Sequence, residues 1–214
     1  MNQVKHMLNK RNSKNFMNVC AVLSVSILLI LVLCSCSKRP QTDPKYEYIK
    51  WEFPDRFVYA ISGCSLAPYS EIDIPSLHEG YEVRYILDGA FSHTSIKSLS
   101  MTTITEIYAE AFTHCNKLTT LDLGCVETIY RKAFYSCTSL EKVVFPESVK
   151  TIEIGAFTQC ESLKEVYFKG NPESLSEYIF DQGVIIYGVP GGSVEAYAKQ
   201  YGFEFRNIMQ EDAN

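Results

Sequence analysis

Apolar residues return along this chain at a period too long for one helix or strand. Ala-Phe pairs stand at Ala90-Phe91, Ala111-Phe112, Ala133-Phe134 and Ala156-Phe157, with the phenylalanines 21, 22 and 23 residues apart. Other positions keep step with them. Ile86, Ile107, Ile129 and Ile152 lie four residues before each alanine, and Val83, Ile104, Val126 and Val149 lie three before those. Thr94, Cys115, Cys137 and Cys160 follow each phenylalanine by three. Then come Ile96, Leu118, Leu140 and Leu163, followed by Leu99, Leu121, Val143 and Val166, and two further on by Met101, Leu123, Phe145 and Phe168. Self-similarity at 20 to 50 residues marks stacked repeats, each too poor in apolar surface to fold alone. The stretch Leu-x-x-Val-x-Phe ends in apolar residues alternating with a polar one, which predicts a strand. Consecutive coils then pair their strands and share one column of Ile, Leu, Val and Phe, about 4.8 Å per coil.

The segment Ile129 to Pro146 reads Ile-x-x-x-Ala-Phe-x-x-Cys-x-x-Leu-x-x-Val-x-Phe-Pro. It resembles the BspA-type leucine-rich repeat of bacterial surface proteins. The flanks agree: Phe57–Ile61, Glu71–Pro75 and Glu79–Val83 resemble that family's hairpin entry, and Ile186–Ser193 its exit strand and turn. The resemblance covers most of residues 55 to 205; the first copy departs from it, with Thr94 in place of cysteine and one residue fewer. It implies a leucine-rich-repeat solenoid with a short β-strand plus a turn or short helix per coil. About four repeats are expected, between an N-terminal β-hairpin cap and a C-terminal strand-helix cap. Ser193 is placed as an N-cap, with Val194, Tyr197 and Tyr201 on one helical stripe and Gly202 ending a helix over 193–201. The expected boundaries are 51–82 for the N-terminal cap, 83–170 for the repeats and 171–210 for the C-terminal cap.

The first 35 residues read as an address. Lys5, Lys10, Arg11 and Lys14 precede an apolar run from Val19 to Leu33, the order of a secretory signal. Leu33-Cys34-Ser35-Cys36 resembles a lipobox. The resemblance implies cleavage before Cys36 and its lipidation, with a plain secreted protein or single-span anchor as the competing reading. Ser37 follows, and by analogy with lipoprotein sorting the lack of Asp there points to the outer membrane or cell surface. Residues 36–50 contain Pro40 and Pro44 and read as a tether. The four early cations are the only charges before Cys36, so the remainder has 16 basic against 25 acidic residues, a net of −9. Such a domain repels phosphate backbones, and no nucleic-acid partner is expected.

Chemistry is sparse. There is no Gly-x-Ser-x-Gly, His-Glu-x-x-His, phosphate-binding glycine loop or Cys-x-x-Cys. No catalytic residue, cofactor or metal is expected. Cys115, Cys137 and Cys160 recur in register and read as a buried ladder bonded to turn backbone, while a bridge through Cys64 or Cys125 stays open. His93 and His114 each follow a repeat phenylalanine by two and read as solvated neighbours rather than metal ligands. The expected ligand face is the polar side of the strands: Ser100, Asp122, Val144 and Tyr167 in one row, Ser98, Thr120, Lys142 and Glu165 in the next. Val144 and Tyr167 read as an exposed apolar pair among charges. Together with the anchor, this suggests an adhesin-like module binding a protein or glycan. The alternative is an accessory subunit docking on another bacterial envelope component.

Overall fold

The computed structural model describes residues 46–52, 57–64 and 71–209. The signal, Cys36 and most of the tether lie outside them.

The repeat predicts one strand per coil, and the chain forms two. The first series follows the Leu-x-x-Val-x-Phe pattern: β3 (Glu71–Ile74), β6 (Ser98–Met101), β8 (Thr120–Asp122), β10 (Lys142–Phe145), β12 (Glu165–Phe168) and β14 (Ile185–Gly188). The second is built on the isoleucine before each Ala-Phe pair: β5 (Tyr81–Ile86), β7 (Glu106–Ile107), β9 (Thr128–Ile129), β11 (Thr151–Ile152) and β13 (Ser174–Leu175), preceded by β2 (Phe57–Cys64). Its members are mostly dipeptides, too short to show an alternation of two. They pair in parallel with one isoleucine above the next: Ile61, Ile86, Ile107, Ile129, Ile152, then Leu175.

The segment after each isoleucine is turn, not helix. Its N–H groups divide between the turn and the next coil. Ala111 donates to Tyr108 and Thr113 to Glu110, whereas Phe112 donates to the carbonyl of Ala133 and His114 to that of Tyr135. A helix would keep those bonds within the segment. Left-handed φ angles near 59° at Glu110 and His114 also prevent helical continuation.

Strands of the first series inherit their register from side chains that must reach one interior. Phe91, Phe112, Phe134 and Phe157 stack with centroids 5.0 Å apart and planes within 10° of parallel. All four are fully buried. Burying a phenylalanine side chain removes it from water at a gain of about 2–3 kcal/mol, so the file is a large share of what holds coil to coil.

The stack is longer than four repeats. Phe180 continues the phenylalanine file, bridging Phe157 in parallel at 5.9 Å between centroids. Ile179 replaces alanine before it, and Gly183 stands where cysteine recurs, which hides this copy in the sequence. Residues 171–188, assigned to the C-terminal cap, therefore complete the last coil. At the other end β2 and β3 form a coil of their own. Its Phe57 is exposed and packs on Tyr81 outside the file; the ring of Tyr46 packs on Phe91 at 6.2 Å instead, and its hydroxyl donates to the Asp73 carbonyl.

The caps follow. β1 (Tyr46–Glu52) pairs antiparallel with β2, so residues 46–50 belong to the hairpin rather than the tether. β4 (Leu77–His78) folds back on β5 through Glu79-Gly80, both at positive φ, as a tight hairpin needs. At the far end α1 spans Ser193–Tyr201, burying Val194, Tyr197 and Ala198, and Gly202 ends it at φ 74°. Ser193 is not its N-cap. Gly192 holds that position, and the Ser193 hydroxyl donates to the Pro172 carbonyl at 2.7 Å, tying the helix to the preceding coil. The Glu195 carboxylate reaches back to accept from the Gly191 N–H. A last strand, β15 (Glu204–Asn207), then pairs parallel with β14, so the cap is strand, helix and strand.

Candidate functional site

Each coil shows solvent two strand surfaces. On the first-series strands, inward residues alternate with the expected ligand rows. Ser98 aligns with Thr120 and Ser100 with Asp122 across β6 and β8; Lys142 aligns with Glu165 and Val144 with Tyr167 across β10 and β12. The rows are in register, but the surface they form is broken. The isoleucine-centred strands make one sheet, β3, β6 and β8 a second, and β10, β12, β14 and β15 a third. The break follows β8, where Gly124 turns the chain at φ 51°. A Cβ there would lie 1.7 Å from the Met101 carbonyl oxygen, so only glycine fits. Asp122 is committed to this turn, its carboxylate accepting from the Gly124 N–H at 3.0 Å.

The expected exposed pair is also different in kind. Val144 is half-buried, and Tyr167 retains only 8% exposure. Tyr167 stacks on Tyr187 at 4.2 Å with planes 3° apart, and the Lys142 ammonium sits 3.8 Å above its ring. Its hydroxyl donates to Glu165, which also accepts from Tyr187, while Arg206 donates to the Tyr187 hydroxyl. Burial first, then Glu165, pushes the Tyr167 phenol well above its ordinary range. The third-sheet surface is thus a fixed lattice of Lys142, Glu165, Tyr167, Tyr187, Arg206 and Glu204. Tyr187, Glu204 and Arg206 extend the expected face. They were missed because β14 and β15 fall outside the clean repeat.

The second surface was not anticipated. On the isoleucine-centred strands, the residues beside each isoleucine point away from the interior. They run Tyr85, Glu106, Thr128, Thr151 on one side and Leu87, Tyr108, Tyr130, Glu153 on the other. Trp51 packs on Tyr85 at 4.9 Å, and Tyr108 stacks on Tyr130 at 4.8 Å. Val58 and Ala60 are buried beneath this aromatic strip. Glu106 accepts from the Tyr130 hydroxyl at 3.0 Å. Burial and this bond raise the Tyr130 phenol to about 12. The signal was present in sequence as tyrosine next to the repeat isoleucine in successive coils.

The turns carry the remaining polar groups. Cys115, Cys137 and Cys160 form the expected ladder, each thiol donating to the phenylalanine carbonyl one coil back: Phe91, Phe112 and Phe134, at 3.2–3.3 Å. Thr94 starts it by bonding the Phe91 carbonyl within its own coil. Contact with Cys115 and burial push the Cys137 thiol up, and burial takes Cys160 to about 12, so these are structural thiols. Cys125 is not in a disulfide; its thiol points at the Thr102 and Ile104 carbonyls. His93 and His114 stack face to face at 4.8 Å. Lone pairs in the planes of stacked rings do not converge on one ion. Among the described residues no three of His, Cys, Asp and Glu are grouped to hold a metal.

The comparisons with known proteins agree with this geometry. Residues 59–186 match the BspA type leucine rich repeat region in six copies, the coil number seen in the structure. A search of curated proteins found no match. A leucine-rich repeat protein from Bacteroides capillosus is 26% identical, with a TM-score of 0.53 over 60% of this chain and 97% of its own. A Treponema pallidum leucine rich repeat protein is 21% identical, with a TM-score of 0.48 over 78% of this chain and 98% of its own. A leucine rich cell surface protein of Faecalibacterium prausnitzii is 24% identical, with a TM-score of 0.45 over 72% of this chain and 46% of its own. With its repeat, its coil number and its stacked phenylalanine file all in accord, this chain belongs to the BspA-type leucine-rich-repeat family.

Proposed function

We propose that this chain is a non-catalytic, lipid-anchored module of the bacterial envelope that binds a protein or glycan partner through its strand surfaces. The observation carrying the proposal is the in-register array itself. It fixes side chains of mixed chemistry at about 4.8 Å intervals on a rigid scaffold, and they spread along the face instead of converging on one point. A spread array suits a partner as extended as itself; catalysis needs groups aimed at one reacting atom. Lipidation at Cys36 would hold the domain at the outer membrane or cell surface, since several acyl chains at about 0.8 kcal/mol per methylene give durable attachment.

The primary ligand face runs over Ser98, Ser100, Thr120, Asp122, Lys142, Val144, Glu165 and Tyr167. Lys142 and Glu165 anchor it, because Tyr167 and Tyr187 already order them. The test is binding of the full chain to immobilised matrix proteins and to a glycan array, comparing wild type with Lys142→Glu and Thr120→Lys. Loss of binding with an unchanged melting temperature supports this face; unchanged binding removes it. A second reading is favoured by the aromatic strip of Trp51, Tyr85, Tyr108 and Tyr130: an accessory subunit that docks this face on another envelope component. Proteolysis of intact cells separates the two, since a surface adhesin is cleaved and a periplasm-facing subunit is protected.

A further inference from the structure

Strand β15 ends the third sheet. Among the described residues it pairs only with β14. Its outer edge therefore offers backbone donors and acceptors to any strand that can align with them. Two defences of such an edge are missing from Glu204-Phe205-Arg206-Asn207, since it has no proline and no inward-pointing charge; the charges it does carry, Glu204 and Arg206, are of opposite sign. Burial alternates along it. Glu204 and Arg206 are exposed on the outer side, and Phe205 and Asn207 are half-buried on the inner side.

That pattern is complementary to itself. Suppose a second β15 lies antiparallel beside the first with Phe205 opposite Phe205. Glu204 of each copy then faces Arg206 of the other, and directly opposed residues approach closely enough for opposite charges to pair. A slip of one residue puts the charged side of one strand against the inner side of the other. A slip of two, in either direction, sets Glu204 against Glu204 or Arg206 against Arg206. One register satisfies the charges and its neighbours do not. In the single chain Arg206 already binds Glu204 along its own strand at 2.7 Å, so both side chains lie on the surface the second copy would meet. Met209, 74% exposed, stands just past the strand and adds apolar area there.

We propose that β15 is a self-association edge, through which two copies of this chain join antiparallel about a two-fold axis at Phe205, extending the third sheet from one solenoid into the other. The interface is isologous and closes on itself as a dimer. The strand is short, so the contact is weak in free solution and gains from copies held on one surface.

The experiment co-expresses two full-length copies carrying different tags, crosslinks them in intact cells before extraction, and measures how much of one is recovered with the other. Wild type with wild type is expected to co-purify. Glu204→Arg with itself, and Arg206→Glu with itself, set like charges in register, and recovery should fall at least about tenfold. Mixing the Glu204→Arg copy with the Arg206→Glu copy restores two opposite-charge pairs and should restore recovery. That rescue also shows that neither variant is misfolded, which matters because Arg206 holds the Tyr187 hydroxyl. Absence of wild-type recovery, full recovery of either variant with itself, or failure of the mixed pair would each overturn the proposal. None of these outcomes depends on which face binds a partner.

Discussion

The interior of this solenoid and its two outer faces are made by the same coils under opposite rules. Inside, like contacts recur from coil to coil: phenylalanine on phenylalanine at 5.0 Å, thiol on turn carbonyl at 3.2–3.3 Å. Outside, the repeat dissolves. Equivalent positions hold Ser100, Asp122, Val144 and Tyr167 on one face, and Tyr85, Glu106, Thr128 and Thr151 on the other. The interior must satisfy packing at every coil, so departures cost stability. The faces meet solvent and are free to diverge, so what they contain reflects what they touch. Substitutions test that division directly.

The largest effect is expected in the file. Phe134→Ala opens a cavity between Phe112 and Phe157 and should cost about 3–5 kcal/mol. Because each coil is stable only against its neighbours, chemical denaturation should also lose cooperativity, with a smaller denaturant slope than wild type. An unchanged slope and a loss under about 1 kcal/mol would mean that the file is not what couples the coils.

Gly124→Ala comes next. The left-handed conformation alone costs about 1–2 kcal/mol for a residue with a Cβ, and the approach to the Met101 carbonyl forces the backbone to move, so a total near 3 kcal/mol is expected in thermal melts. Gly80→Ala is the control, since nothing lies within 4 Å of its added carbon and only the conformational part should appear.

The aromatic strip has an alkaline signature. The Tyr130 phenol has its folded value raised to about 12 by burial and the Glu106 carboxylate, above the ordinary 10.0. Tyr59 is raised to about 12 by burial and Glu79. For a group raised on folding, the stabilising effect is complete below the unfolded value and is lost as pH climbs through the folded one. Stability should therefore fall between about pH 10 and 12. Tyr130→Phe should flatten part of that fall, and tyrosinate absorbance read beside circular dichroism would show it. Normal ionisation near 10 without unfolding would mean the strip is open to water.

Most of the architecture was legible because packing writes itself into sequence as period. The valine, isoleucine and phenylalanine positions of four coils each carry one residue class, and the cysteine position does so in three. What stayed hidden has physical causes. A two-residue strand such as Glu106–Ile107 cannot display alternation. The last coil satisfies the same file with Ile179-Phe180 but has Gly183 at the cysteine position, so the repeat signature is lost there. The helix was placed correctly but its cap was not: Ser193 has a capping side chain, yet Pro172 takes its hydrogen bond. The rows expected to face a ligand do lie in register, since register follows from the interior. Their exposure differs from the expectation, because Tyr167 is covered by Lys142 and Tyr187, and that depends on residues outside the repeat.

The smallest predicted effect separates backbone demand from side-chain identity. In five of the coils the described residues put a left-handed corner at the same position, at Gly89, Glu110, Lys132, Gly155 and Tyr178, with φ between 51° and 70°. The first four of these residues donate to the next coil, Glu110 to the Arg131 carbonyl just before the next corner and Gly155 to the carbonyl of the corner Tyr178 itself. Geometry therefore asks for glycine at each corner, and only two of the five have it. Glu110→Gly relieves left-handed strain but gives the unfolded chain more freedom, so the net gain should be about 0.5–1 kcal/mol. Gly155→Ala should lose at least as much, since its added carbon also meets the Lys132 Cγ and Thr158 Oγ1 at 3.3–3.4 Å. If both changes appear with these signs, the corners are set by the coil and their side chains are free for the surface. A loss on Glu110→Gly would show instead that this carboxylate contributes to the outer face, and the boundary between repeating interior and variable exterior would have to be drawn further out.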